Sequence, residues 1–202
     1  SGAYREQGGY ERIHENPWLY SIFLPIDAQL INPLQKIESL FYPEYALQND
    51  TICQGGRMIW TSNWVPGIWS VRELWPGDNY HLALSYFQSG LSDEGYEILK
   101  GMFMNTGFCG TVPGNLGFHQ GGIDFGDCIH PFVRSVVSGL FGYQPDYPSG
   151  QVILAPSFPT SWKEANIHVP DFSLSFQEAK DVLSYHVVLL NNAVLKIQIP
   201  VS

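Results

Sequence analysis

Trp75-Pro76-Gly77-Asp78-Asn79-Tyr80-His81-Leu82-Ala83-Leu84 begins a helix that is apolar on almost every side. Asp78 is placed to cap it. Tyr80, Leu82, Ala83, Leu84, Tyr86 and Phe87 leave no polar face, so the helix over 79–89 must be buried on most sides. Gly90 ends it, and Ser92, Asp93 and Glu94 start the next helix with acids at the positive end of the dipole. Tyr96, Leu99, Met102 and Phe103 form one stripe there, with Glu97 and Lys100 facing away, as on an outer helix. A loop from Asn105 to Gly126 holds seven glycines, which leaves it no helical character. Asp127 then caps a third helix, with Pro131 in its first turn. Ile129, Phe132, Val133, Val136, Val137, Leu140 and Phe141 repeat at helical spacing in that helix. The two acidic segments, 69–78 and 121–127, are thereby expected on one face.

The flanks read differently. The first sixty residues read as irregular helix and loop. Asn16-Pro17 and Asn32-Pro33 are helix starts, and the stripe Leu34, Ile37, Leu40, Phe41 is expected to break at Pro43. Residues 51–76 form a long connection dense in Gly, Trp and Asn, and long ordered connections often serve function. After Pro145 the period changes to two. Val152–Leu154, Ile167–Phe176, Ser184–Leu190 and Val194–Ile199 read as antiparallel strands, with a hairpin turn at Asn191-Asn192. The expected class is α+β, with a helical part over 1–145 and an antiparallel β module over 146–202.

Composition narrows the function. Aromatic and charged residues each make up 14 % of the 202 residues, so large rings must be buried or line a groove. The net charge of -9 argues against nucleic acid, whose phosphates require a basic surface. No apolar run reaches the roughly 18–20 residues that cross a bilayer. No secretory signal is visible, and Ser1-Gly2-Ala3 reads as a cloning scar or an internal cut, either of which could have removed one. Cys53, Cys109 and Cys128 are too few and too widely spaced for a disulfide framework. They read as buried thiols, with a Cys109–Cys128 bridge and a zinc site from Cys109, Cys128 and His130 as the alternatives.

Trp75-Pro76-Gly77-Asp78-Asn79-Tyr80 through Leu84 is similar to a stretch of the α-glucosidases related to processing glucosidase I. Asn115-Leu116-Gly117-Phe118 and Ile123-Asp124-Phe125-Gly126 resemble the loop before the last barrel helix of toroidal α-L-fucosidases. Gln151–Pro159, followed by Trp162, resembles the strand after that helix, and toroidal α-L-rhamnosidases end in much the same way. The resemblance covers roughly residues 55–165. It implies the C-terminal helical hairpins of an (α/α)6 toroid, a six-hairpin glycosidase, followed by a β-sandwich segment, with the general acid expected earlier in the ring, outside this chain. Oligo- or polysaccharide would be the partner, and the rest of the polypeptide or a second chain would complete the ring. No metal or cofactor is implied, and the location would be periplasmic or extracellular.

Inverting glycoside cleavage needs a protonated and an ionised carboxyl roughly 6.5–9.5 Å apart. Asp124 matches the fucosidase-like aspartate by position, although the Gly-Asn that follows it there is missing here. A turn-forming loop aspartate is the alternative. Glu73, beside Arg72, reads as base, sugar ligand or half of an ion pair. No carboxylate lies in 105–123, where rhamnosidases carry a Trp-Trp-Glu signature. Trp64, Trp69 and Trp75 are candidates for stacking on sugar rings, and Arg72, His81, His119 and Asp127 for binding hydroxyls, the two histidines reading equally as satisfying the loop. Trp75 reads equally as core and Asp127 as a plain cap. A polysaccharide lyase and a non-catalytic carbohydrate-binding module are the competing functions. A partial toroid is further expected to leave the helix at 79–89 bare, so that the chain alone would not form a soluble monomer.

Overall fold

The computed structural model describes residues 2–5, 11–14, 18–51, 56–63, 73–107, 126–180, 182–190, 192 and 194–198. The protein is α+β. Strands β1 (Gly2–Arg5) and β2 (Glu11–His14) form a hairpin that the sequence reading missed. Helices α1 (Leu19–Asp27) and α2 (Pro33–Ala46) follow, then the short antiparallel pair β3 (Asn49–Thr51) and β4 (Arg57–Ile59). The central helices are α3 (Pro76–Phe87), α4 (Ser92–Gly107) and α5 (Gly126–Arg134), and a π-helical segment Ser135–Leu140 prolongs α5.

Helix α3 is the axis of the core. Every residue from Pro76 to Phe87 except His81 is buried. The expectation that it stays bare is overturned, because α1 supplies the missing cover. Leu19, Ile22, Phe23 and Ile26 of α1 recur at i, i+3, i+4 and i+7 and are all buried. Helices α4, α5 and the π-helical segment pack on the remaining sides of α3. Asp78 is not the cap of this helix. The cap position is Trp75, and Asp78 lies inside the first turn, while Gly90 with φ 77° follows its end. Likewise α5 starts at Gly126, so Asp127 is its second residue and Pro131 its sixth, beyond the first turn.

Asn32 caps α2 as its sequence suggests. Its side chain accepts from Gln35 N–H, and Gln35 returns the bond to Asn32 N–H, both at 3.0 Å. The helix does not break at Pro43 but runs on to Ala46. Its last turn is held from outside. Glu44 accepts two bonds from Arg57 at 2.5 and 2.7 Å and one from the Tyr86 hydroxyl, which also reaches Leu40 O. Burial opposes the charge on Glu44, but those donors outweigh it and hold its carboxyl below the usual range.

The β part does not end as a plain meander. Strand β5 (Tyr143–Asp146) pairs antiparallel with β6 (Gln151–Leu154), and β7 (Glu164–His168), β8 (Phe172–Ala179) and β9 (Val182–Leu189) form a second antiparallel sheet. The run expected as one strand over 167–176 is divided at Val169–Asp171, where Pro170 lacks a ladder donor. Strand β10 (Val194–Ile197) does not pair back on β9. It crosses to the free edge of β6 and pairs in parallel, which sets Leu195 opposite the buried Val152. Strand β5 spans the expected boundary at 145/146. The core is continuous across it: Tyr143 stacks on Phe172 at 4.1 Å, and Phe158 bridges Phe141 and Phe176.

A carboxyl-bearing cleft where two helices begin

Helices α3 and α5 start side by side. A Cβ on Gly77 would lie 2.2 Å from the backbone oxygen of Asp127, so only glycine permits this approach. Pro131 contributes to the arrangement. It has no N–H to give the carbonyl four residues back, which is that of Asp127. Gly77 N–H in turn meets the thiol of Cys128, a buried free cysteine pushed up to about 11 by burial against that backbone bond.

A cleft of 370 Å³ opens at this junction. Asp78 and His81 come to it from α3, Asp127 and His130 from α5, Tyr20 from α1, and Trp75 closes one wall. Asp78 is 2 % exposed, and its Oδ2 is buried with no hydrogen-bond partner among the described residues. Burial pushes its carboxyl up to about 7, against the opposing hydrogen bond from Tyr20. A group so placed holds its proton through mildly acidic pH and shares it near neutrality. Asp127 is exposed at the rim. Tyr20 is pushed up to about 12, first by burial and then by the charges of Asp78 and Asp127, so its hydroxyl is a donor at every physiological pH.

The far wall is fixed by charge and stacking. His81 lies on Phe23 with ring centroids 4.9 Å apart. Burial lowers its pKa, the nearby Arg134 lowers it further, and Asp27 partly offsets both, so the ring is neutral at pH 7. Arg134 grips Asp27 through two bonds of 2.5 and 2.7 Å, which tie α5 to the end of α1.

Of the residues singled out in the sequence as sugar-binding, Asp127, Trp75 and His81 line the cleft. Trp75 is buried to 5 % exposure and offers an edge of wall, not a free stacking face. Glu73 is not among the described lining residues. Its backbone N–H bonds Thr61 Oγ1 and its carbonyl accepts Thr61 N–H, which fixes the approach to α3. Asp124, Arg72, Trp64, Trp69 and His119 lie outside the described residues, as do Cys53 and Cys109. Asp78 was missed as a site residue because an aspartate near a helix start reads as a cap. The available signal was its place in an otherwise apolar turn.

No protein-family model matches the chain, and no curated protein is detectably similar to it. No helix among the described residues is long and apolar enough to cross a membrane.

Proposed function

We propose that the chain is part of a glycoside hydrolase that cleaves a glycosidic bond with inversion. One observation carries the reading: a single cleft holds two carboxyl groups in opposite environments, Asp78 enclosed and Asp127 open to solvent. Environments that hold one carboxyl protonated and leave the other exposed are what acid and base roles require. Asp78 is the general acid and protonates the departing glycosidic oxygen. The base that takes a proton from the attacking water is drawn from Asp127 and Asp124, three residues before it in the chain. The neutral ring of His81, the Tyr20 hydroxyl and the side chain of His130 are suited to hold sugar hydroxyls, and the Trp75 wall supplies an apolar surface.

The (α/α)6 ring belongs to the same proposal. Helix α2 presents Leu34, Ile37, Phe41 and Tyr45 at 43–67 % exposure, an apolar row that further helices of the same polypeptide or a second chain would cover. A periplasmic or extracellular location goes with that reading.

The test is hydrolysis of a panel of aryl α-glycosides and disaccharides by the full protein, with the product anomer read by proton NMR. The proposal expects turnover with inverted product, and a loss of about 100-fold or more in Asp127→Asn or in Asp124→Asn. Sugar binding without turnover would make this a carbohydrate-binding module. An unsaturated product absorbing in the ultraviolet would make it a polysaccharide lyase.

A further inference from the structure

A second cavity, of 340 Å³, lies at the opposite end of α3, where the helices meet the β5–β6 sheet. Asp78 and Gln88 are ten residues apart along one helix axis, so about 15 Å separates the two sites. Its polar lining is carboxamide: Gln29, Gln88, Gln144 and Gln198, joined by the Ser138 hydroxyl. Lys36 is the one charged residue among the described lining residues, and no carboxylate is present there. Phe87 and Ile153 give it apolar walls.

Three features show that this lining is not a by-product of loose packing. Gln88 Nε2 donates to Asp27 Oδ1 at 3.0 Å, which fixes the amide orientation, since a carboxylate only accepts. Gln88 Oε1 is then buried with no hydrogen-bond partner among the described residues. A buried orphan acceptor costs about 1–3 kcal/mol and calls for a donor. Gln29 takes a left-handed backbone, φ 55°, unusual for a residue with a side chain. The π-helical turn supplies Ser138 and Gly139, and a Cβ on Gly139 would come within 2.7 Å of the Phe87 ring. Such turns recur at functional sites.

Four amides and a hydroxyl both donate and accept, as a ligand of many hydroxyls requires. The last turns of α1 and α3 reach this lining with Ile26 and Phe87 and bring partial negative charge, which offsets the one cation, Lys36, so the lining selects neither an anion nor a cation. We propose that this cavity is a binding site for a neutral saccharide, separate from the α3/α5 cleft and independent of whether that cleft is catalytic.

Ile26 and Ile153 both line the cavity and report on it locally. Protein labelled with 13C in its isoleucine methyl groups is titrated with maltose, cellobiose and xylobiose, and with a disaccharide that carries a glucuronic acid. The expected result is saturable movement of the Ile26 and Ile153 methyl signals with at least one neutral sugar, and affinity weakened about tenfold in Gln144→Leu. Gln88→Leu repeats the test if its melting temperature matches the parent. Unmoved methyl signals with every neutral sugar would overturn the proposal. So would tighter binding of the acidic disaccharide, or undiminished affinity in Gln144→Leu.

Discussion

Asp78 and Asn79 are adjacent, both buried, and do opposite things to the fold. Asn79 acts as a strand neighbour for β4: its Oδ1 accepts from Ile59 N–H at 2.8 Å and its Nδ2 donates to Ile59 O at 2.9 Å and Trp75 O at 3.0 Å. Asn79→Leu strands those groups and should cost about 3 kcal/mol or more, read as a lower urea midpoint at unchanged slope. Asp78 is a liability instead. Its folded pKa of about 7 lies above the unfolded value near 3.9, so the chain takes up stability below that value and loses it as pH rises toward and through 7. The loss is on the order of 4 kcal/mol by pH 8. Asp78→Asn should therefore gain about 8–16 °C in Tm on the parent between pH 4 and pH 8. An equal Tm difference at both pH values would show that Asp78 does not ionise at a cost. The sequence shows an aspartate after Pro-Gly, but its burial depends on α1 and Tyr20, more than fifty residues away, and no local pattern reports that.

At the scale of elements, helix starts were legible where punctuation is strong. Asn32-Pro33, Ser92 and the Gly126-Asp127 pair lie at or next to real starts because capping is a local interaction. Helix α1 was legible only as a start near Asn16-Pro17; it begins at Leu19 with Trp18 in the cap position and no side-chain cap bond, and it runs through Pro25 to Asp27. Strand β10 was recognisable as a strand, but alternation carries no information about the partner, and its parallel pairing with β6 depends on which edge is free. The close approach of the α3 and α5 starts rests on one glycine. Gly77→Ala must displace Asp127 O, and such overpacking costs roughly 1–3 kcal/mol. The expected result is a lower denaturation midpoint together with lost sugar turnover. Turnover intact at full stability would show that the two helix starts need not touch.

On the scale of the whole molecule, one core joins the helices to both three-stranded sheets through Tyr143, Phe158, Phe172 and Phe176. That core favours a cooperative melt, whereas the bare row on α2 favours association. The 202-residue chain by itself is expected to sediment as more than a monomer, and Leu34→Glu with Phe41→Glu to shift it toward monomer with Tm nearly unchanged. A monodisperse parent chain in sedimentation velocity would show that this face needs no cover. The α+β class was legible from the order of helices and strands, and Trp75 and Asp127, both named from sequence, line the cleft. Asp78, the buried carboxyl of the cleft, emerges only when three helices are packed together.

The central claim is that Asp78 protonates a leaving glycosidic oxygen. It is tested most directly by comparing kcat/KM of Asp78→Asn and the parent on two substrates with the same sugar, a 2,4-dinitrophenyl glycoside and the corresponding disaccharide. A phenolate that leaves unaided does not need the acid, whereas an alkoxide does. The account predicts a loss of about 100-fold or more on the disaccharide and a much smaller one on the dinitrophenyl glycoside. Equal losses on both substrates, or none on either, would contradict it.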